Sequence, residues 1–314
     1  MADMTNIRVG QANGAGNALA NFLEVYGGEV LTAFAQKTIT KGRHIERTIQ
    51  HGKSAQFPAT WRVSAAYHVP GEEITGQASN ANERTISIDS KLISDVFIPD
   101  IDEAISHFDY RSIYSFEAGE ALATTFDKNV LRMAILAAST STPTVTGAPA
   151  GTDLVNASYR TDSDILAGGL FDVAETMDGD DIPGEDRYCA MLPAQYYLLA
   201  QNTKFIDRDW TSNNGDLAKA QIAKVADIEL LKTNLLPQDD YAGVSGEVNT
   251  YTYDNTDVAV ACWQKKAVGT VKLRDLKIGS DPYMERWQGT LTVAKYLLGH
   301  GILRPECATT LSVA

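Results

Sequence analysis

The chain holds the residue types that do chemistry, but not at the spacings chemistry needs. His44, His51, His68, His107 and His300 are scattered, and none pair at three or four residues as metal-binding histidines do. Asp178, Asp180, Asp181, Glu185 and Asp186 crowd one loop and could attract Ca²⁺, yet their spacing departs from an EF-hand loop. They read as a solvated acidic loop. Gly52-Lys53-Ser54 ends like a phosphate-binding loop, but the first glycine of that motif would fall on Arg47, and the segment runs into a strand instead of a helix. Gly14-Ala15-Gly16 lacks the third glycine and the preceding strand of a dinucleotide site. There is no G-x-S-x-G elbow, and no cysteine lies beside a basic cluster that would activate it. Cys189, Cys262 and Cys307 are far apart and odd in number, which fits buried thiols in a reducing compartment better than a disulfide framework. These absences point away from an enzyme and imply no catalytic residue, cofactor or metal.

The elements that would have to position a site suggest a different purpose. Residues 57–69 alternate, with Phe57, Ala59, Trp61, Val63, Ala65, Tyr67 and Val69 on one face. Period two over this length predicts a strand with one apolar face. Pro70-Gly71 turns the chain, and a second alternation sets Ile86 and Ile88 against Thr85, Ser87 and Asp89. This reads as a long two-stranded arm. A lone hairpin is marginal in water, so the arm needs a surface to cover Phe57, Trp61, Val63, Tyr67, Ile86 and Ile88. Pro58 near its base predicts a bulge or an edge position.

Around the arm, 17–36 predicts a helix interrupted by Gly27-Gly28, and the basic residues Lys37, Lys41, Arg43 and Arg47 lead into the arm, with Lys53 and Arg62 on it. Asp100 with Glu103 predicts a capped helix carrying Ile101, Ala104, Ile105 and Phe108. Asp109 predicts the cap of a second helix running to about Ser139, with the stripe Leu122, Phe126, Val130, Met133 and Ala137; thirty residues span about 45 Å. Gly119 inside it predicts close backbone packing. Residues 140–151 read as a linker. Beyond it the pattern predicts helix 165–177, strand 188–192, a helix from Pro193, helix 218–225, and strands at 228–231, 258–262, 268–273 and 288–298.

Charge is unevenly spread along 314 residues with a net charge of −13. Residues 141–262 hold 7 basic and 20 acidic side chains, 263–314 hold 8 and 4, and 1–62 hold 7 and 4. An acidic centre between basic flanks suits head-to-tail contact between copies, with Lys37, Lys41, Arg43, Arg47, Lys53 and Arg62 as the inter-subunit cations. Nothing approaches the roughly 20 apolar residues that span a bilayer, and residues 1–16 lack the apolar core of a signal peptide.

Several strings carry a resemblance. They are FLEVYGGEVLTAFAQ at 22–36, GKSAQFP at 52–58, AAYHVPGE at 65–72, DIDEAISHFDYRSIY at 100–114, AVGTVKLRDL at 267–276 and AKYLLGHGILRPE at 294–306. Together, and in this order, they resemble the major capsid proteins of short-tailed podoviruses of the T7 type. The resemblance is weakest from 140 to about 257.

It implies an α+β, HK97-like capsid fold. The expected parts are an N-terminal arm at 1–49, an extended E-loop hairpin with its base strands at 50–98, and a peripheral domain with a long spine helix at 99–150. An inserted axial domain follows at 151–261, and C-terminal strands at 262–314 complete the peripheral domain and return to the axial one. The implied function is self-assembly into pentamers and hexamers of an icosahedral shell around a dsDNA phage genome, built in the cytoplasm of a bacterial host. Implied partners are further copies of the chain, a separate scaffolding protein, a portal protein and a decoration protein. Packaged DNA would be held weakly and non-specifically, and no membrane is involved. The tip 70–83 has no lysine for an isopeptide cross-link, so assembly is expected to be non-covalent. The alternative is the shell of an encapsulin-type nanocompartment of the same fold; a hydrolase with a dispersed site is a third reading.

Overall fold

The computed structural model describes residues 38–71, 73–74, 76, 78–99, 101, 110–202, 215–216, 221–222, 224–281 and 288–313. Its architecture is α+β, two sheets joined by one long helix. The first sheet runs in the order β1 (Ile45–Thr48), β14 (Val268–Asp281), β15 (Gly289–Ile302), β4 (Leu92–Pro99). β14 and β15 are an antiparallel pair, each 14 residues long. β1 joins in parallel on one side and β4 antiparallel on the other. The second sheet runs β5 (Thr152–Val155), β16 (Ala308–Ser312), β13 (Val258–Gln264), β6 (Arg187–Met191), β10 (Ile228–Lys232), β9 (Lys224–Val225). Every residue of β13 is buried, as expected of a central strand that reads as a continuous apolar run. Short two-stranded pairs remain: β2 (Ser54–Thr60) with β3 (Ala81–Ser87), β7 (Gly215–Asp216) with β8 (Gln221–Ile222), and β11 (Asp240–Tyr241) with β12 (Tyr253–Asp254).

Helix α1 (Tyr110–Ser139) touches both sheets. Its stripe Leu122, Phe126, Val130, Met133 and Ala137 is buried throughout, as the 3.6-residue period dictates. Gly119 is buried too. The helix ends where Thr140 and Ser139 turn their hydroxyls onto the Leu136 carbonyl, at 2.6 and 3.0 Å, satisfying an acceptor the last turn leaves open. Gly151 then passes so close that a methyl there would stand 2.1 Å from the Ala137 carbonyl oxygen. Helix α2 (Ser163–Gly179) is capped by Asp162, whose carboxylate accepts from Asp164 N at 2.8 Å and Ile165 N at 3.3 Å. Helix α3 (Pro193–Ala200) opens on its proline, where the missing N–H costs nothing.

Three expectations change. The strand expected over 57–69 ends at Thr60, because β3 offers ladder partners only from Ala81 on; one further bond joins Trp61 N to the Asn80 carbonyl at 3.2 Å. Alternation marks a face but supplies no hydrogen bonds. The helix expected at 218–225 is replaced at 221–222 and 224–225 by strands. Ala226 and Asp227 both have positive φ, 48° and 63°, and form the two-residue turn that pairs Val225 with Ile228. The strands after 262 are longer than expected, and β1, β4, β5 and β16 complete sheets the sequence pattern did not outline. The helices expected at 17–36 and 102–108, with Asp100 and Asp109, lie outside the described residues.

The hairpin β2–β3 is seated on the chain's own first sheet. Ile86 and Ile88 are 1% and 5% exposed and pack with Ala55, Val271 and Leu303 in a small second core. Three glycines make room. A methyl on Gly301 would come 2.8 Å from Ile86 Cγ1, one on Gly269 2.8 Å from Leu303 Cδ1, and one on Gly299 2.0 Å from the Ser87 carbonyl oxygen. The root of the hairpin therefore needs no second molecule, contrary to expectation. Gly299→Ala is the most damaging of the three changes, since the obstacle is backbone rather than a side-chain tip. It is expected to cost about 1–3 kcal/mol by overpacking, read as a lower urea midpoint at unchanged m-value, with faster proteolysis between β2 and β3.

Candidate assembly interface

Beyond the root, the chain between Trp61 and Asn80 leaves the ladder. Val63, Tyr67, Val69 and Ile74 are 66%, 104%, 55% and 79% exposed. Scattered apolar residues on a surface mean little, but four on one excursion are a concentrated apolar load. Of the six residues expected to cover a neighbour, Val63 and Tyr67 are open, and Ile86 and Ile88 are in the chain's own core. Phe57 is half-buried under the Arg47 guanidinium, 5.7 Å from its ring centroid. Trp61 is half-buried beside Gly147.

The root is tied down by polar struts. Asn80 and Asn82 donate side-chain N–H groups to the carbonyls of Thr146 and Thr144, at 2.9 and 2.8 Å. Arg84 Nε reaches Thr144 Oγ1 at 3.1 Å, and that hydroxyl donates to the Leu303 carbonyl at 2.7 Å. Arg304 donates to the Thr60 carbonyl at 3.0 Å. At the far end Asp89 collects four donors: Val248 N (2.7 Å), Asn249 N (2.9 Å), Asn249 Nδ2 (3.0 Å) and Tyr251 OH (2.5 Å). Tyr251 OH in turn accepts from His300 N at 3.0 Å, and burial beside Asp89 pushes the phenol far above its ordinary pKa.

The expected inter-subunit cations are largely engaged inside the chain. Arg43 pairs with Glu229 at 2.7 Å, Arg62 with Asp181 at 2.5 Å, and Arg47 donates to the Gln56 carbonyl at 2.7 Å. Lys41 and Lys53 are exposed, and Lys37 is outside the described residues. Together with Lys265–Asp186 at 3.8 Å, the first two pairs bind both basic flanks to the acidic centre of the same subunit. The acidic loop is spent likewise: Asp178 holds the buried Arg187 at 2.7 Å, and Asp186 accepts from Tyr188 OH at 3.2 Å. Among the described residues no three His, Cys, Asp or Glu converge to hold a metal ion. The three cysteines are free and buried; burial and Glu306 push the Cys307 thiol up to about 12.

Where the segment entering β1 crosses α1, a polar cluster is enclosed. Asp127 on α1 accepts from Ile39 N (2.7 Å), Thr40 N (3.1 Å) and Thr40 Oγ1 (2.6 Å). His44 and His300 flank the Phe126 ring, with centroids 5.7 and 5.0 Å away. Lys272 pairs with Glu46 alongside. Burial lowers the pKa of both histidines; His44 and Lys272 lower His300 further, and Glu46 partly offsets the effect at His44.

The fold places the chain in a structural class. At TM-score 0.82 and 44% identity it matches a chain from the capsid structure of the cyanophage P-SCSP1u, covering 88% of each. At TM-score 0.73 and 18% identity it matches the mature capsid of bacteriophage PhiM1, a likeness of fold alone. It is thus an α+β fold of the HK97-like phage capsid kind. The family model described as "Gp10A-like: Major capsid protein" matches residues 56–312, and the chain belongs to that family. It is 33% identical to the major capsid protein of Escherichia phage T7 over 94% of this chain and 92% of that protein, and 33% identical to that of Enterobacteria phage T3 over 97% of each.

Two outcomes follow from the cluster and the strut. Asp89→Ala leaves the buried Tyr251 hydroxyl and the part-buried Asn249 backbone N–H without this acceptor and should cost about 2 kcal/mol, measured by denaturant unfolding. Burial holds both histidines below their ordinary value when folded, so as pH falls the unfolded chain takes up their protons first, near pH 6.5. Stability should therefore be full above that pH and fall as pH drops through it, by up to about 1.4 kcal/mol per histidine per pH unit. His300→Gln should flatten the slope between about pH 7 and 5.5. Asp127, whose carboxyl burial raises, acts in the opposite sense at lower pH.

Proposed function

We propose that this chain is the major capsid protein of a T7-type short-tailed phage, assembling as pentamers and hexamers of a closed icosahedral shell around dsDNA. In this reading the hairpin β2–β3 with its outer segment is the E-loop, and α1 is the spine helix. The first sheet belongs to a peripheral domain, and the second sheet with α2 and α3 forms the axial domain. The observation that carries the reading is the outer segment: Val63, Tyr67, Val69 and Ile74 stand in solvent on a hairpin whose root is already satisfied. Covering such side chains on a neighbour gains about 1.5–3 kcal/mol each, less the cost of ordering the segment. Repetition over every subunit turns a modest contact into a durable shell.

Assembly is non-covalent, since the tip 70–83 has no lysine. A separate scaffolding protein, a portal and a decoration protein are the expected partners, in the host cytoplasm and then in the virion. An acidic chain holds packaged DNA weakly. The alternative is the shell of an encapsulin-type nanocompartment of the same fold. Identities of 33–44% to phage capsid proteins favour the phage reading.

Co-expression with the neighbouring genes, followed by electron microscopy, tests the function; a chain that stays monomeric with every candidate scaffold is not a capsid protein. The arm is tested by replacing 62–79 with Asn-Gly, which closes β2 onto β3 across Trp61 and Asn80 with a two-residue turn. Subunits should keep their thermal midpoint and fail to form closed particles. Normal particles from that variant would remove the arm from the mechanism.

A further inference from the structure

At the root of the hairpin lies a groove of about 280 Å³, between β2 and the start of the segment after β15. Its floor is apolar: Ile45, Phe57, Pro58, Ala59 and Leu303. Its rim carries three cations, Arg84, Lys266 and Arg304. Glu306, 3.7 Å from Arg304, offsets one of them. Arg84 is held by Thr144, and Arg304 by Thr60 and Glu306, but the exposed Lys266 ammonium forms no ion pair among the described residues. At about 280 Å³ the groove has room for a side chain or two. Its chemistry asks for an aliphatic group next to a carboxylate.

The outer segment presents that pair. Ile74 is 79% exposed and Glu73 beside it is exposed. We propose that the Glu73–Ile74 tip of one copy docks in the root groove of the next, Ile74 against Phe57 and Leu303 and Glu73 against Lys266. This rests on the capsid reading and names the receiving surface that reading lacks. The tip lies 13 residues beyond Thr60, a reach of at most roughly 45 Å if extended, long compared with the ~20 Å radius of gyration expected for a chain of this size. A contact from tip to root is head-to-tail, and repeated by rotation it closes into a ring. The same contact serves rings of five and of six if the segment between root and tip absorbs the difference in angle.

Charge exchange in the full-length protein, co-expressed with its scaffold, tests this. Glu73→Lys and Lys266→Glu should each leave folded, soluble subunits by circular dichroism and reduce particle yield about tenfold or more, because like charges then meet at every contact. The double variant should recover most of the yield. Failure of the double variant to recover, or normal yield from either single variant, overturns the docking. A second arm covers the case in which a variant misfolds. Ile74→Cys with Pro58→Cys, oxidised in assembled particles, should give a covalent ladder ending at five and six chains. Particles without that ladder overturn the docking and leave the capsid reading standing; wild-type protein that never forms particles overturns the capsid reading itself.

Discussion

The subunit depends on one close approach. Ile86, Ser87 and Ile88 lie against β14 and β15 at a distance that only Gly269, Gly299 and Gly301 permit. A side chain at Gly299 would meet backbone, which no rotamer change relieves. This fit fixes where the hairpin leaves the body. It aligns Asp89 with the Val248–Tyr251 segment and leaves β15 free to pair with β4 on its other edge. A firm root lets the exposed apolar side chains beyond Trp61 take up new contacts without loosening the body, because the body is held by contacts of its own.

Electrostatics works mostly within the subunit. The acidic centre and basic flanks suggested attraction between copies, yet Arg43–Glu229, Arg62–Asp181 and Lys265–Asp186 close inside one chain. Each is partly exposed, so each contributes little on its own. Their joint effect is to hold three stretches that are distant in sequence in one arrangement. Lys266 stands beside these pairs without an ion pair among the described residues, which is why it matters more for recognition than the paired cations do.

Much of this was legible where local pattern and tertiary demand agree. The stripe from Leu122 to Ala137 forecast α1 almost to the residue, and the apolar run Val258–Cys262 forecast a buried strand. The alternation 57–69 was read as one strand because pattern reports the face a side chain takes, not whether a partner strand reaches that far. Residues 218–225 were read as helix because the Ala226-Asp227 turn carries no glycine or asparagine to announce positive φ. The root groove could not be foreseen at all. Phe57 and Arg84 face each other across the hairpin, but Lys266 and Leu303 come from a distant part of the sequence, and the seating of the hairpin on the first sheet brings the two pairs together. The resemblance identified the kind of object; the packing shows which of its apolar residues are already used.

The second sheet sets a timetable for synthesis. β16, residues 308–312, is not an edge strand; it lies between β5 and β13. β5 and β13 therefore cannot belong to one sheet until residues made some 50 positions after β13 begins have left the ribosome. At elongation rates of about 5–20 residues per second, a nascent chain spends seconds with β5 unpaired and with one edge of β13 open, although β6 is already there to pair with its other edge. Closure of the second sheet thus waits on residues 308–312, whatever else of the body has already folded. The order of synthesis leaves an edge of the second sheet open until its interior strand arrives.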